Sequence, residues 1–165
     1  YPLEDEIYPP GADSIFILSS FFPPGIPNIE VSEVIDGKIG GRLETENEFI
    51  IDNDTITIQA TLDIPSNAFN SIEEIRMLIN NNNLTISFFP HLIFNGFVEF
   101  DIKYAGIEVT GVYPHSIDFI FQDSNGLIEQ VDYRKIRVDN NQNSIHLEKA
   151  ELNHFSRYGF VNRQF

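Results

Sequence analysis

The sequence contains no cysteine and no tryptophan. Without a thiol it forms no disulfide, holds no thiolate-bound metal and offers no cysteine nucleophile. Cations are scarce: 10 Lys and Arg stand against 25 Asp and Glu, for a formal charge of -15. Such a surface repels a phosphate backbone and lacks the basic face that nucleic-acid binders use, so nucleic acid is excluded as a partner. The same charge works against anionic lipid surfaces and suits calcium or a cationic partner. No run reaches the roughly 20 apolar residues of a transmembrane segment. The stretch GKIGGR lacks the spacing of a phosphate loop. No pair of carboxylates stands out from the acidic background as the machinery of a glycosidase. An enzyme acting on an external substrate is therefore the least supported class.

What is present is apolar payload. Hydrophobic residues make up 42% of the 165-residue chain, with 15 Phe and 6 Tyr. That is enough for one domain with a sizeable core, and it is unlike a disordered acidic chain. In TITIQATLDIP, Ile56, Ile58, Ala60, Leu62 and Ile64 share one parity, the signature of a half-buried strand. The same period of two recurs at Leu84, Ile86 and Phe88, at Val98, Phe100, Ile102 and Tyr104, and at Ile117, Phe119 and Phe121. Each run reads as a strand with one wet face. NSIEEIRMLI is the one helix candidate, but Ile75, Met77 and Ile79 alternate, so it is expected to be a strand, with a helical turn at Ser71–Glu74.

Between these runs lie DGKIGG, DND, NNNN, DSNG and DNNQN, rich in residues that tolerate or cap left-handed backbone. Strands punctuated in this way predict an all-β, antiparallel, Ig-like β-sandwich. The start differs. YPLEDEIYPPGAD and FFPPGIPN are proline-rich, and proline fixes φ and removes ladder donors. Residues 1–28 therefore read as a tether and lead-in segment, and residues 29–165 as the sandwich domain. Within the lead-in, SIFILSSFF is apolar enough to form an edge strand or lie on the domain.

In linear order, GGRLE, ITIQATLDIPSNAF, IRMLI, LTISFFPHLIFNGFVEFDIKY and LNHFSRYGF resemble the motifs of the ZU-five β-sandwich family. That family is found in ankyrins and in bacterial surface proteins, and the resemblance spans Gly40 to Phe160. The NNNN hairpin is longer than the family pattern. The resemblance implies a sandwich whose loops and edges mediate contacts. It leads us to expect a secreted or cell-envelope protein, lipid-anchored through a removed N-terminal segment, with a structural or adhesive role and a protein partner at the cell surface. No cofactor is expected.

In some members of the family the Phe-Ser bond of the final motif cleaves itself. Carried over to this chain, Ser156 Oγ would attack the carbonyl of Phe155 with His154 assisting, which requires a base and a polarised or strained peptide. Leu152, Tyr158 and Phe160 are even-numbered whereas Phe155 and Val161 are odd, so a bulge or twist near Phe155 and Ser156 would be needed to point both sets inward. A plain closing strand is the favoured alternative. Asp52, Asp54 and Asp139 supply hard oxygens for calcium, but the same residues are what tight turns require. His91, His115, His146 and His154 have no zinc-like spacing. An aromatic platform for carbohydrate could be built from Phe88, Phe89, Phe94, Phe97 and Tyr113, although most of these phenylalanines belong in a core.

One prediction comes from composition alone. Deleting Tyr1 to Asp13 is expected to leave the melting temperature almost unchanged, because proline-rich acidic residues contribute few buried contacts. A calorimetric loss of several degrees would show that this segment is docked.

Overall fold

The computed structural model describes residues 25–81, 84–123 and 125–162. Residues 1–24, which hold most of the tether and the SIFILSSFF segment, and the last two residues of NNNN lie outside the described residues. Among the described residues there are eleven strands: β1 (Ile29–Asp36), β2 (Gly41–Ile51), β3 (Asp54–Ile64), β4 (Ile72–Asn80), β5 (Thr85–Phe89), β6 (Ile93–Ala105), β7 (Ile117–Gln122), β8 (Ile128–Gln130), β9 (Lys135–Asp139), β10 (Ser144–His154) and β11 (Arg157–Asn162). They form two sheets, ordered β1-β4-β5-β11-β7-β8 and β2-β3-β6-β10-β9. All pairings within them are antiparallel. The protein is an all-β sandwich.

The alternation in the sequence builds the core directly. Ile56, Ile58, Ala60, Leu62 and Ile64 of β3 are buried, as are Val98, Phe100, Ile102 and Tyr104 of β6. The two strands lie side by side, with Ile58 opposite Tyr104 and Leu62 opposite Phe100. Ile75, Met77 and Ile79 of β4 and Ile117, Phe119 and Phe121 of β7 close the core from the other sheet. Ile26, three residues ahead of β1, is already part of that core, and Pro27 and Asn28 are hydrogen-bonded to Asn81.

The acidic turns act as turns. In DGKIGG the Asp36 carbonyl accepts from the N–H groups of Ile39 and Gly40, and its carboxylate accepts from Lys38. Gly40 has φ +85°, and a Cβ there would stand 2.4 Å from the Ile64 carbonyl oxygen, so only glycine fits. Asp52 and Asn53, at φ 52° and 69°, form the two-residue link between β2 and β3. Positive φ at both central positions matches the right-handed twist of the hairpin strands. Asp123 caps the Asn125 and Leu127 amides, and Asp139 caps those of Asn141 and Gln142.

Two expectations need correction. There is no helical turn at Ser71–Glu74, because β4 begins at Ile72 and its register with β1 runs unbroken from there. Nor do all the strands have a wet face: β5 is buried along its whole length, and Ile120 and Gln122 of β7 are buried between its inward residues. Thr85 and Ser87 are polar in sequence, but both are buried on a strand paired on each side, where small hydroxyls fit.

The parity assignment predicts a sharp contrast between neighbours in β3. Ile58→Asp should unfold the domain, since an unpaired buried charge costs roughly 3 to 5 kcal/mol, a large part of a typical domain stability. Gln59→Asp should be tolerated, because Gln59 is exposed and lies beside Lys103. Similar denaturation midpoints for the two variants would remove the register assigned to β3.

Candidate functional site at the inter-sheet corner

LNHFSRYGF is not one strand. β10 ends at His154 in the five-stranded sheet and β11 begins at Arg157 in the six-stranded one, so Phe155 and Ser156 carry the chain from one sheet to the other. This corrects the expectation of a single closing strand and explains the mixed parity. Leu152 points inward from one sheet, Tyr158 and Phe160 point inward from the opposite sheet, and Phe155 fills the corner between them. A register shift between Leu152 and His154 precedes the crossing, so the anticipated irregularity is present one step earlier.

The corner is fixed by main-chain bonds to a second crossing. The Phe155 N–H donates to the Leu92 carbonyl at 2.8 Å, and the Phe88 N–H donates to the Ser156 carbonyl at 3.0 Å. Leu92 belongs to the segment that joins β5 to β6, which crosses between the sheets in the opposite sense. The Phe155 ring is fully buried, stacked on Phe88 at 5.2 Å and edge-on to Phe94 at 4.7 Å. Such contacts add to the area the ring removes from water.

Ser156 is buried at 3% exposure. His154 turns towards other neighbours: its ring packs edge-on against Phe121 at 4.5 Å and lies 6.2 Å from the Tyr158 ring. Its Nε2 stands 3.8 Å from Glu129 Oε2. The Tyr158 hydroxyl donates to the His154 carbonyl at 2.6 Å. Among the described residues, no hydrogen bond joins His154 to the Ser156 hydroxyl. The three residues of the triplet therefore meet in sequence, while their side chains face three different environments.

Beside His154 is a small polar cleft of about 80 Å³, lined by Phe121, Glu129, Asp132, Glu151 and Tyr158 among others. Burial pushes the His154 imidazolium below its ordinary pKa, and the nearby Glu129 carboxylate works against this while His91 reinforces it. The neutral ring is thus the form that suits the folded protein. On the outer side of the six-stranded sheet, Ser87, Arg157 and Gln122 lie in one cross-strand row, and Arg157 donates to Gln122 Oε1 at 2.9 Å. Both side chains are buried. The sequence signal was two polar residues inside apolar runs, IDFIFQ and FSRYGF.

The remaining candidates are dispersed. Asp52 and Asp139 serve turns as described, and Asp54 opens β3. Among the described residues no three His, Asp or Glu side chains are grouped to hold a metal. Phe88, Phe89 and Phe94 are buried, whereas Phe97 is 39% exposed and Tyr113 is 54% exposed and stacked on His115. The expected aromatic platform thus loses three of its rings to the interior. His146 sits on the outer face of β10, 3.8 Å from Asp101. Among the described residues no helix is long and apolar enough to cross a membrane. Compared with protein-family models, curated proteins and solved structures, the chain matches none of them.

The His154 environment predicts a pH dependence. A histidine whose folded pKa is depressed contributes stability that is complete above its unfolded value, near 6.5, and is lost as pH falls through the folded value. Between pH 7 and pH 5 the wild-type melting temperature should fall more steeply than that of His154→Gln. Parallel curves for the two proteins would show that the ring titrates equally in both states.

Proposed function

We propose that this chain is a non-catalytic, secreted or surface-anchored β-sandwich with a structural or adhesive role, which recognises a protein partner through its edges and loops. The ZU-five-like order of motifs supports the class. The observation that carries the reading is the packing of the corner. Phe155 is a core ring, and the Ser156 carbonyl is engaged by β5. The histidine next to this bond in the sequence, His154, is directed at Phe121 and Glu129. A serine nucleophile requires a base at its hydroxyl and donors for the developing oxyanion.

A second reading is a self-cleaving module at Phe155-Ser156, and the observation in its favour is that this bond lies at the sheet-to-sheet crossing, where backbone geometry departs from a regular strand. Intact mass under denaturing conditions separates the two. Native chromatography would not, since a cleaved β11 could stay paired with β5 and β7. A single full-length mass after prolonged incubation is expected. A fragment beginning at Ser156, abolished by Ser156→Ala and reduced by His154→Ala, would establish the second reading.

A further inference from the structure

Among the described residues, one long sheet edge of the sandwich is open. β2 has 11 residues, against 8 in β1, 3 in β8 and 5 in β9, the other edge strands. Its pairing with β3 runs from Gly41 to Ile51 without a bulge, and no other described strand pairs with its far side. A straight edge of this kind presents a row of main-chain donors and acceptors to any extended segment that can approach it.

The side chains on this edge select what approaches. Glu44, Glu46, Glu48 and Ile50 are exposed and share the outer face. Their partners on β3 are Thr61, Gln59, Thr57 and Thr55, none of them cationic. Glu44 has a distant ion pair with Arg42 at 3.8 Å, but Arg42 is itself bound to Asp63 at 2.6 Å. Glu46 and Glu48 make no ion pair among the described residues. Three carboxylates at alternate positions thus remain uncompensated on the β3 side.

A second copy of the chain meets repulsion in the registers that overlap most of this edge. A two-fold pairing of β2 with itself that keeps the outer faces aligned, if centred on Glu46, sets Glu46 against Glu46 and Glu44 against Glu48. Moving the centre to Asn47 sets Glu46 against Glu48, and moving it to Thr45 sets Glu44 against Glu46 while Arg42 meets Glu48. Like charges directly opposite one another are destabilising, whereas opposite charges contribute favourably.

We propose that the β2 edge is a docking site for an extended cationic segment of a partner protein, which adds as a further strand with Lys or Arg at alternate positions facing Glu44, Glu46 and Glu48 and an apolar residue facing Ile50. This deepens, and rests on, the reading of the domain as a protein-recognition module. Main-chain pairing supplies the registration and the carboxylate row supplies the choice of partner. The net charge of -15 draws a cationic segment towards the domain before docking.

The test uses the full chain and a fluorescent nine-residue peptide alternating Lys with Thr and ending in Val, followed by anisotropy. Saturable binding is expected, weakened about tenfold by Glu44→Gln, Glu46→Gln and Glu48→Gln together. These residues are exposed, so the variant should melt like the wild type. Two N-methylated peptides distinguish strand addition from loose charge attraction. Methyl groups on residues of one parity should abolish binding, and methyl groups on the other parity should leave it nearly intact. Equal binding to the triple variant, indifference to N-methyl parity, or a wild-type dimer in sedimentation that the triple variant strengthens no further would overturn the proposal. Its failure would leave recognition through another face standing, whereas a fragment beginning at Ser156 would overturn the non-catalytic reading itself.

Discussion

The pairing of two inter-sheet crossings at one end of the sandwich is the constraint on which the rest depends. The segment between β5 and β6 leaves the six-stranded sheet as Phe155 and Ser156 enter it, the two are joined by the Phe155 N–H at the Leu92 carbonyl, and the Ser156 carbonyl accepts from Phe88 of β5. Each crossing would otherwise expose unpaired main-chain groups in a buried corner, at a cost comparable to a lost hydrogen bond. The first bond satisfies one group on each crossing, and the second ties the corner to β5. Phe155 seals the joint, because its ring touches Phe88 from one sheet and Phe94 from the other. Burying a phenylalanine side chain contributes about 1.5 to 3 kcal/mol.

From that corner an aromatic stack runs inward. Phe88 meets Phe100 edge-on, Phe119 lies parallel to Tyr158 at 5.8 Å, and Phe160 meets Phe119 at 5.1 Å. These rings come from β5, β6, β7 and β11, so the two sheets are held by interdigitated aromatics as well as by aliphatic residues. The filled interior bears on function. The polar cleft beside His154, at about 80 Å³, is much smaller than the roughly 300 to 1,000 Å³ of typical small-molecule sites. A larger hollow of about 320 Å³, near Arg42, Asp101 and His146, is an open groove on the outer face of the five-stranded sheet.

The alternation of β3, β4, β6 and β7 was legible in the sequence because one face of each strand meets the opposite sheet and the periodicity of the pleat records it. The acidic turns were legible for a local reason: Asp36, Asp123 and Asp139 cap their own turns. The corner was not, because LNHFSRYGF is continuous in sequence while its two halves belong to different sheets, and periodicity carries no information about which sheet a strand joins. The parity conflict between Phe155 and Tyr158 was the trace of that switch. β5 escaped for another reason. Thr85 and Ser87 look like solvent positions to any hydropathy pattern, and their burial on a central strand is a tertiary fact. The candidate site was legible only as a list of residues. That His154 faces Phe121 and Glu129 is decided by strands β7 and β8, far from it along the chain.

The four sheet edges differ in how acidic residues are distributed along them. β8 is too short to template another strand, and β9 is short and ends in a capped turn at Asp139. β1 carries Glu30, which pairs with Arg76 of the neighbouring β4 and so is already compensated. β2 alone among these edges combines length, regular register and a row of carboxylates with no cation opposite them on the neighbouring strand. If charge were needed only to keep copies apart, a lysine or a proline on the edge would serve equally well, and a bulge would serve better. A proline or a bulge would also close the edge to every partner, while alternating carboxylates disfavour acidic chains and leave the edge open to cationic ones. Specificity of this kind is a difference between affinities, and a repulsive element contributes to it as directly as an attractive one. The arrangement of Glu44, Glu46 and Glu48 therefore carries more selectivity than solubility alone requires.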